Sequence, residues 1–535
     1  MRQKVAQNNK LFSLSSYFHT VKYLKVKQVF YRFYYRLRKM IYEPNYSKTL
    51  PKTMASLVWK NDLIYPDSYL GNQTFSFLNI KHKFSNSIDW NIDQYGKLWT
   101  YQLNYFDFLN QQSITPAEGL GLIRDYIKND PDLKDGKDPY PISLRAINWI
   151  KFLSGNGVSD EAINLVLFQH YQILRHHLEY HLMGNHLLEN GFSLFFGACF
   201  FKDNHLFNTA RKLLKTELAE QILNDGGHFE RSPMYHQLLL HRLLDCLNLS
   251  KINHWPADRA LVEFLEKKAI AMLSWLSAIT YKNGDIPLVK DSAFDIAFSS
   301  DVLFRYAGTL GLSWGKSTLS DSGYRKLEME NYELFVDIGS VAPAYQPGHA
   351  HADTFSFELR VNQNQVFVDP GVSTYEDNFI RQRERSTAYH NTVTVGNLNS
   401  SQVWGSFRVA KRAKVKGIKD EPHCVAAKHN GFKSVNISHQ RTFQVNNEVL
   451  LIEDLLEGPP VPGKAHFHLH PDCEIRIAQD SNIVFLGHCS IHFEGATEIA
   501  QENYEYPLGF NKRVRARKIT VAFNQRLSSE IKFGS

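Results

Sequence analysis

The spacing of apolar residues along the chain changes near residue 315. From about residue 95 to residue 310, apolar positions recur every three or four residues, as in ISLRAINWIKFL and LLLHRLLDCLNL. Polar, Gly or Pro residues separate these runs. Because this period places apolar side chains on one face of a helix, the region is predicted to form a series of helical hairpins.

From about residue 330 onward, apolar and polar residues alternate, as in TFSFELRV, NTVTVG and EVLLIEDLL. These runs are rich in Val, Phe, Thr and Ile and are bounded by Asn, Gly and Asp, which is typical of antiparallel strands. A helical half followed by a strand half predicts an α+β chain of two layered domains. We place a basic appendage at 1–50, a helical domain at 51–315 and a strand domain at 316–535.

Composition narrows the class of protein. With 43% hydrophobic residues the chain is globular and not disordered. The net charge of +7 favours polyanionic partners only weakly. Residues 1–40 carry ten Lys/Arg and no acid, with aromatic residues interleaved. This segment either contacts a membrane surface or packs as a helix with a solvated basic face; we expect no nucleic-acid partner.

The location predicted from the sequence is cytoplasmic. No segment has the pattern of a signal peptide, and no apolar run reaches the ~20 residues of a spanning helix. The five cysteines lack CxxC spacing, which fits a reducing compartment. Membrane association and a periplasmic location are the alternatives, and the oligomeric state is left open.

The first polar cluster lies in the otherwise apolar segment GNHLLENGFSLFFGACFF. Asn185 and Glu189 are four residues apart and share a helix face, with His186 beside them. A buried amide and imidazole could neutralise a substrate carboxylate and acidify the adjacent C–H. Equally, Asn185 could cap the helix and His186 could be an ordinary core histidine.

A second segment, DGGHFERSPMYHQ, places Tyr235 and His236 at a predicted helix start. A tyrosine with a lowered pKa can transfer protons in β-elimination. The pair is also common in helices of no catalytic role, so this segment carries little weight alone.

The third segment, PGHAHADTFSFELRVNQNQVFVDPG, contains the largest group of candidate proton-transfer and metal-binding residues. In a strand, His349, His351 and Asp353 would point to one face. Two imidazoles and a carboxylate are a common set of zinc ligands, and we choose His351, Asp369 and His390. His349, neutral near pH 7, is then left as a base. The alternative is a hydrogen-bonded His/Asp network without a metal.

Five motifs occur in order: GNHLLEN, ERSPMYH, PGHAHAD, VDPG and RSTAYHNT, at 184–190, 230–236, 347–353, 368–371 and 385–392. Together they resemble the heparinase II/III-like polysaccharide lyases over nearly the whole chain. The resemblance implies an (α/α) toroid followed by an antiparallel β-sandwich, with the active cleft between them. It also implies β-elimination on uronic-acid-containing chains such as glycosaminoglycans or alginate.

The resemblance also implies roles for individual residues. Asn185 and His186 should hold the uronate carboxylate, Tyr235 should be the general acid and the base for one sugar epimer, and His349 should be the second proton-transfer residue. The zinc ion should be structural. Glu189 should orient Asn185 or His186. The residues expected to bind the acidic polysaccharide are Glu189, Arg231, His236 and Arg385, although the two arginines could equally make structural contacts.

Two other functions fit the sequence less well. An (α/α)-barrel glycoside hydrolase would need two carboxylic acids flanking the scissile bond, whereas the motifs offer His, Tyr and Asn. A non-catalytic glycan-binding protein is also open, since a fold does not guarantee turnover.

The basic start of the chain is similar to that of members of this family that belong to bacterial surface-polysaccharide assembly. This similarity favours capsule or O-chain precursors as substrates.

Overall fold

A computed structural model of the protein describes residues 14–41, 46–51, 54–60, 63–478 and 481–533. Residues 1–13 of the predicted basic appendage therefore lie outside the described residues. The α-helices are α1 (Leu14–Val21), α2 (Val26–Ile41), α3 (Lys97–Tyr105), α4 (Pro116–Asn129), α5 (Pro139–Gly155), α6 (Glu161–His176), α7 (Gly184–Phe201), α8 (Asn204–Gln221), α9 (Pro233–Ile252), α10 (Arg259–Ile279), α11 (Ser300–Thr309) and α12 (Phe379–Glu384).

The helices α3 to α11 pack around one apolar core. The helix α7 lies at its centre, in contact with α5, α8 and α9. All but one of its residues are buried, as expected for a helix that is apolar on every face. The first turn of this central helix is where the sequence places Asn185 and His186, so both are held by the most buried helix of the domain.

The second half of the chain is antiparallel sheet. The strands are β1 (Thr74–Phe77), β2 (Ile80–Lys83), β3 (Tyr324–Glu328), β4 (Tyr332–Asp337), β5 (Phe357–Val361), β6 (Asn364–Phe367), β7 (Val393–Val395), β8 (Val403–Trp404), β9 (Arg408–Val409), β10 (Val415–Glu421), β11 (Cys424–His429), β12 (Ser438–Val445), β13 (Val449–Glu457), β14 (Pro462–His468), β15 (Ile475–Ile477), β16 (Ile483–Leu486), β17 (Cys489–Gly509) and β18 (Lys512–Phe533).

Two sheets form a sandwich. One has the order β3-β4-β5-β6, and the other has the order β10-β11-β12-β13-β18-β17-β16-β15, with β14 pairing both β18 and β7. Their inner faces share an apolar core that includes Phe357, Phe443 and Phe467. The β1–β2 hairpin in the helical half was not predicted. The predicted succession of a helical domain and an antiparallel sandwich is confirmed.

The helices α1 and α2 connect the two halves. Trp404 Nε1 donates a hydrogen bond to Thr20 Oγ1 of α1 at 3.2 Å. Gln28 of α2 donates to the carbonyl oxygens of Leu182 and Tyr345, at 3.0 and 3.4 Å. The described part of the predicted appendage is therefore packed against both domains. Within the described ranges, no helix has the length and apolar character needed to cross a membrane.

Candidate active site

A sharp turn positions Asn185 at the start of α7. Met183 and Gly184 both have positive φ angles, and a Cβ at Gly184 would collide with a carboxylate oxygen of Glu230. Asn185 donates two hydrogen bonds to Glu230, from its backbone N to Oε1 at 2.8 Å and from Nδ2 to Oε2 at 2.9 Å. An amide nitrogen carries two hydrogens, so Asn185 keeps one N–H for a ligand.

Tyr235 lies in the first turn of α9. Ser232 caps the helix by accepting a hydrogen bond from Tyr235 N at 3.3 Å. The Tyr235 ring stacks on His349 with the ring centroids 3.8 Å apart, and its hydroxyl lies 3.2 Å from that of Tyr375. Burial raises the pKa of Tyr235 above its ordinary value, so the phenol is protonated at neutral pH and can act as an acid.

Both ring nitrogens of His349 face carboxylates. Nδ1 lies 2.9 Å from Asp291 Oδ2, and Nε2 lies 3.2 Å from Glu230 Oε2. Burial acts to lower the pKa of His349, but the hydrogen bonds to Asp291 and Glu230 outweigh it and raise the pKa to about 9. The expectation of a neutral His349 near pH 7 is therefore wrong, because two nitrogens that both meet carboxylates must both carry protons.

Glu230 joins Asn185 to His349. Burial acts to raise the pKa of this carboxyl group, but the hydrogen bond from His349, its positive charge and the backbone N–H of Asn185 lower the pKa to about 2. The carboxylate is thus ionised and accepts hydrogen bonds from both predicted catalytic residues. The structure brings Asn185, Tyr235 and His349 into one cluster.

His186 is the partly exposed member of this cluster. Its ring contacts that of Tyr140 in a tilted arrangement with the centroids 4.6 Å apart, and Nδ1 lies 3.0 Å from Glu179 Oε1. Burial acts to lower the pKa of His186, but the charge and hydrogen bond of Glu179 outweigh it, so the pKa is raised. His186 is therefore suited to meet an anionic group of a ligand.

Glu189 does not orient Asn185 or His186, contrary to the prediction. The Asn185 amide is held by Glu230, and the His186 ring by Glu179. Glu189 Oε2 lies 3.8 Å from Arg242 Nε and has no hydrogen-bond partner among the described residues. Burial raises the pKa of Glu189 to about 7. It is a buried partner of Arg242 and does not reach the cluster.

His236 is fully buried, so its predicted contact with substrate is wrong. Arg231 is partly exposed and makes structural contacts, and its contact with substrate stays a prediction. The Arg231 guanidinium donates to the carbonyl oxygen of Ser340 at 2.5 Å, across the boundary between the domains. Both ring nitrogens of His236 form hydrogen bonds with backbone atoms. Nδ1 accepts from His228 N at 3.2 Å, and Nε2 donates to Met272 O at 3.0 Å.

Arg385 is fully buried, and among the described residues its hydrogen bonds go only to backbone carbonyl oxygens, which include those of Ala350 at 2.9 Å and Gly405 at 2.8 Å. The prediction that it binds substrate is wrong. Its guanidinium stabilises the loop that carries His349, and burial lowers the pKa of Arg385 to about 9.

Asp291 is the hub of the buried network. It accepts hydrogen bonds from His349 Nδ1, from His351 Nε2 at 2.9 Å and from both terminal nitrogens of Arg381, one of them at 2.7 Å. All four side chains are buried. The carboxylate therefore fixes the ring orientation of His349.

We expect Arg381→Met to lower the free energy of unfolding by about 3–5 kcal/mol, because it removes the counter-ion of the fully buried Asp291. Arg383→Met is the matched control: its partner Glu505 is half exposed, so the loss should stay below about 1 kcal/mol. Urea unfolding of both variants measures the difference. Equal losses would show that Arg381 does not support Asp291.

Three buried atoms near this hub are suited to bind a metal ion. His351, Asp353 and His390 each offer a ligand atom, and these atoms lie within 4.8 Å of one another. His351 Nδ1, Asp353 Oδ2 and His390 Nε2 have no hydrogen-bond partner among the described residues. Lys290 holds the other carboxylate oxygen of Asp353. Two imidazoles and a carboxylate fit zinc, with one coordination position left open.

This set differs at one position from the predicted ligands. Asp369 Oδ2 accepts hydrogen bonds from His390 Nδ1 at 2.9 Å and from Ser356 Oγ at 3.1 Å. In this arrangement Asp369 would orient a ligand instead of being one, as the outer carboxylates of zinc sites do. A bound ion would join the segments that carry His351, Asp353 and His390. It would also hold His351 in place beside Asp291.

Sequence reasoning missed the residues that orient the cluster. Glu179, Tyr375 and Arg381 lie in segments that show no signal of their own. Glu230 lies in the motif ERSPMYH, and Asp291 lies in the segment NGDIPLVKDSA. An acid at the edge of a motif that contains Tyr235 was the available signal for Glu230.

The helical domain and the antiparallel sandwich meet at a buried cluster of Tyr, His and Asn side chains, so the protein is of a two-domain class with polar, titratable residues at the domain boundary. Family models described as "Heparinase II/III N-terminus" and "Heparinase II/III-like, C-terminal" match residues 141–305 and 313–534. The chain belongs to the heparinase II/III-like family.

Solved structures and curated relatives agree with this assignment. The chain matches "Crystal Structure of Heparinase III" with a TM-score of 0.66 at 17% identity, over 95% of this chain and 92% of that one. At that identity the likeness concerns the fold, and it confirms the expected toroid followed by a sandwich.

Among curated relatives, a "Heparin-sulfate lyase" of Bacteroides stercoris is 23% identical over 60% of this chain and 50% of its own length. The "FtsZ-localized protein C" of Caulobacter vibrioides is 24% identical over 52% of each chain. The chain thus spans about half the length of these relatives.

Proposed function

We propose that the protein is a polysaccharide lyase that cleaves a uronic-acid-containing polysaccharide by β-elimination. The observation that carries the proposal is the stack of Tyr235 on His349, with His349 and Asn185 sharing the carboxylate of Glu230. These are proton-transfer and hydrogen-bonding groups, which elimination needs. The heparin-sulfate lyase relatives support the same chemistry and glycosaminoglycans as a substrate class.

The first task of the site is to acidify C5 of the uronate. Elimination places negative charge on the carboxylate next to C5, so donors must be aimed at that group. Asn185 has its second amide hydrogen for this purpose, and His186 carries a raised pKa at the partly exposed end of the cluster. Together they stabilise the enolate-like anion as it forms.

Proton transfer begins at His349, whose pKa of about 9 leaves a small fraction of the imidazole neutral at neutral pH, after loss of the Nε2 proton to solvent. In that fraction Nε2 takes the C5 proton, the C5 electron pair forms the C4=C5 double bond, the C4–O bond breaks, and Tyr235 protonates the departing oxygen. His349 then releases a proton to solvent and Tyr235 regains one from solvent, so the site is restored and no water is consumed.

A row of tyrosines leads to this cluster. The ring centroids of Tyr101 and Tyr105 lie 6.0 Å apart, those of Tyr105 and Tyr140 lie 5.9 Å apart, and those of Tyr140 and His186 lie 4.6 Å apart. Aromatic faces and phenol tips suit the apolar faces and hydroxyls of sugar rings. The row supports a polymer as the substrate.

The test is a screen of heparan sulfate, chondroitin sulfate, hyaluronan and alginate with two readouts, ultraviolet absorbance of the unsaturated uronate and new reducing ends. A lyase produces both in equal amounts on at least one polymer. Reducing ends without absorbance would overturn the proposal in favour of a glycoside hydrolase.

A non-catalytic glycan-binding role is the second candidate. It is favoured by the relative named for its localisation with FtsZ, a name that denotes no reaction. Retention of a uronate polymer on the immobilised protein, with neither absorbance nor reducing ends, would support it.

We further propose a role in bacterial surface-polysaccharide metabolism, with capsule or O-chain precursors as substrates, at the cytoplasmic or membrane-surface side. Cell fractionation tests this placement. Recovery of the native protein wholly from the periplasm would contradict it.

A further inference from the structure

The helix α2 exposes a row of apolar side chains. Val26, Phe30, Phe33, Leu37 and Met40 are 87, 58, 63, 60 and 77% exposed. Their spacing of four, three, four and three residues places them within an arc of about 80° on a helix. A monomeric protein rarely exposes a contiguous apolar row without a function for it.

The opposite face of α2 is packed against the protein. Gln28 is buried, Tyr31 stacks on Tyr180 with the centroids 4.6 Å apart, and Tyr35 donates a hydrogen bond to Leu178 O at 2.5 Å. These three side chains lie about 180° around the helix from the apolar row. The helix is thus anchored to the toroid, and its row of apolar side chains points away from the protein.

Positive charge flanks the row on both sides. Lys27 and Arg38 lie on one flank, and Arg32, Arg36 and Lys39 lie on the other, while α1 and α2 contain no acidic residue. Among the described residues, the second group has no carboxylate partner within 4.0 Å. An apolar row between two rows of cations matches the boundary between acyl chains and anionic headgroups.

We propose that α1 and α2 bind the surface of a bilayer that contains anionic lipids. The apolar row of α2 enters the headgroup region, where Phe18 and Val21 of α1, 67 and 54% exposed, extend it. The flanking cations contact lipid phosphates. A second copy of the chain fits this face less well, because it would bring uncompensated cations against one another.

The anchoring of α2 places this helix next to the segments that carry the cluster. The carbonyl oxygens that hold Gln28 belong to Leu182, three residues before Asn185, and Tyr345, four residues before His349. A membrane bound by the outer face of α2 would be separated from these two segments by the helix itself, about 10 Å across. This surface does not depend on the proposed activity.

Flotation with vesicles tests the proposal on the full chain. We expect binding to phosphatidylcholine vesicles that contain phosphatidylglycerol, and little binding to phosphatidylcholine alone. The variant Phe30→Ser/Phe33→Ser/Leu37→Ser should bind roughly 100-fold more weakly. The control Val58→Ser/Ile64→Ser removes side chains that are 60 and 69% exposed elsewhere, and it should bind like the native protein.

The charge contribution is tested with Arg32→Gln/Arg36→Gln/Lys39→Gln. Each cation at an anionic surface contributes about fivefold to binding, so loss of all three should weaken binding on the order of 100-fold. Added salt should also weaken binding of the native protein, because it screens the same charges. Circular dichroism and thermal melting establish that each variant is folded. Native protein that fails to float with anionic vesicles would overturn the proposal. So would a stable dimer that the apolar triple variant abolishes.

Discussion

Replacing Tyr235 with phenylalanine should reduce the rate of β-elimination by about 10²–10⁴-fold, since the variant loses the acid that protonates the leaving oxygen. The Tyr235 hydroxyl contacts that of Tyr375, and its ring is held by the stack on His349. Phenylalanine keeps that stack. The loss should appear in kcat, measured by absorbance of the unsaturated product, with KM nearly unchanged.

The matched control is Tyr504→Phe. Tyr504 is also buried, and its hydroxyl donates to the carbonyl oxygen of Leu469 at 2.7 Å within the sandwich. The control should keep kcat within about twofold and lose only about 0.5–1.5 kcal/mol of stability. Equal loss of activity in both variants would contradict the role of Tyr235, and full activity of Tyr235→Phe would do so more directly.

Removal of a bound metal ion should strongly lower the thermal stability of the protein. We expect zinc in the purified protein and a fall of the melting temperature on the order of 10 °C after chelation, because a tight ligand of the folded state alone stabilises by about 4 kcal/mol at 1,000 times its Kd. Elemental analysis and calorimetry measure the two quantities. An unchanged melting temperature with no metal present would identify the cluster as a metal-free hydrogen-bond network.

The same measurements distinguish the two carboxylates. Asp353→Ala should abolish metal binding, since Asp353 offers an unpaired buried oxygen. Asp369→Asn should weaken metal affinity by about 10–100-fold, since Asp369 only orients His390. The exposed Asp472→Ala is the control and should change neither. If Asp369→Asn abolished metal binding and Asp353→Ala only weakened it, Asp369 would be the ligand and Asp353 would not.

The sequence was sufficient to predict the layers of the fold. A period of three to four residues located the helices that carry Asn185 and Tyr235, and strict alternation located the strands of the sandwich. The helical period and the strand alternation are both local, because each depends only on residues within one helical turn or one strand pleat of each other. The central helix α7 was predicted for the same reason, although its burial on every side is set by other helices.

The hydrogen-bond partners of the cluster could not be predicted in this way. Asn185 and Glu230 are 45 residues apart, and Asp291 and Arg381 are 90 apart. The first pair depends on how the helices of one domain pack and the second on how the two domains meet, and no local pattern records either. The error over His349 follows directly, because its protonation is set by two carboxylates from distant segments.

The distribution of the cluster over the chain bears on how the protein folds. The toroid half contributes Glu230 and Asp291, and the sandwich half contributes His349 and Arg381. In a toroid folded alone, Asp291 would lack its cationic partners, and an unpaired charge resists burial. Docking of the domains therefore completes the Asp291 network. A toroid produced alone should keep the Asn185–Glu230 hydrogen bonds but lack the His349 and Arg381 side chains that pair with its two carboxylates.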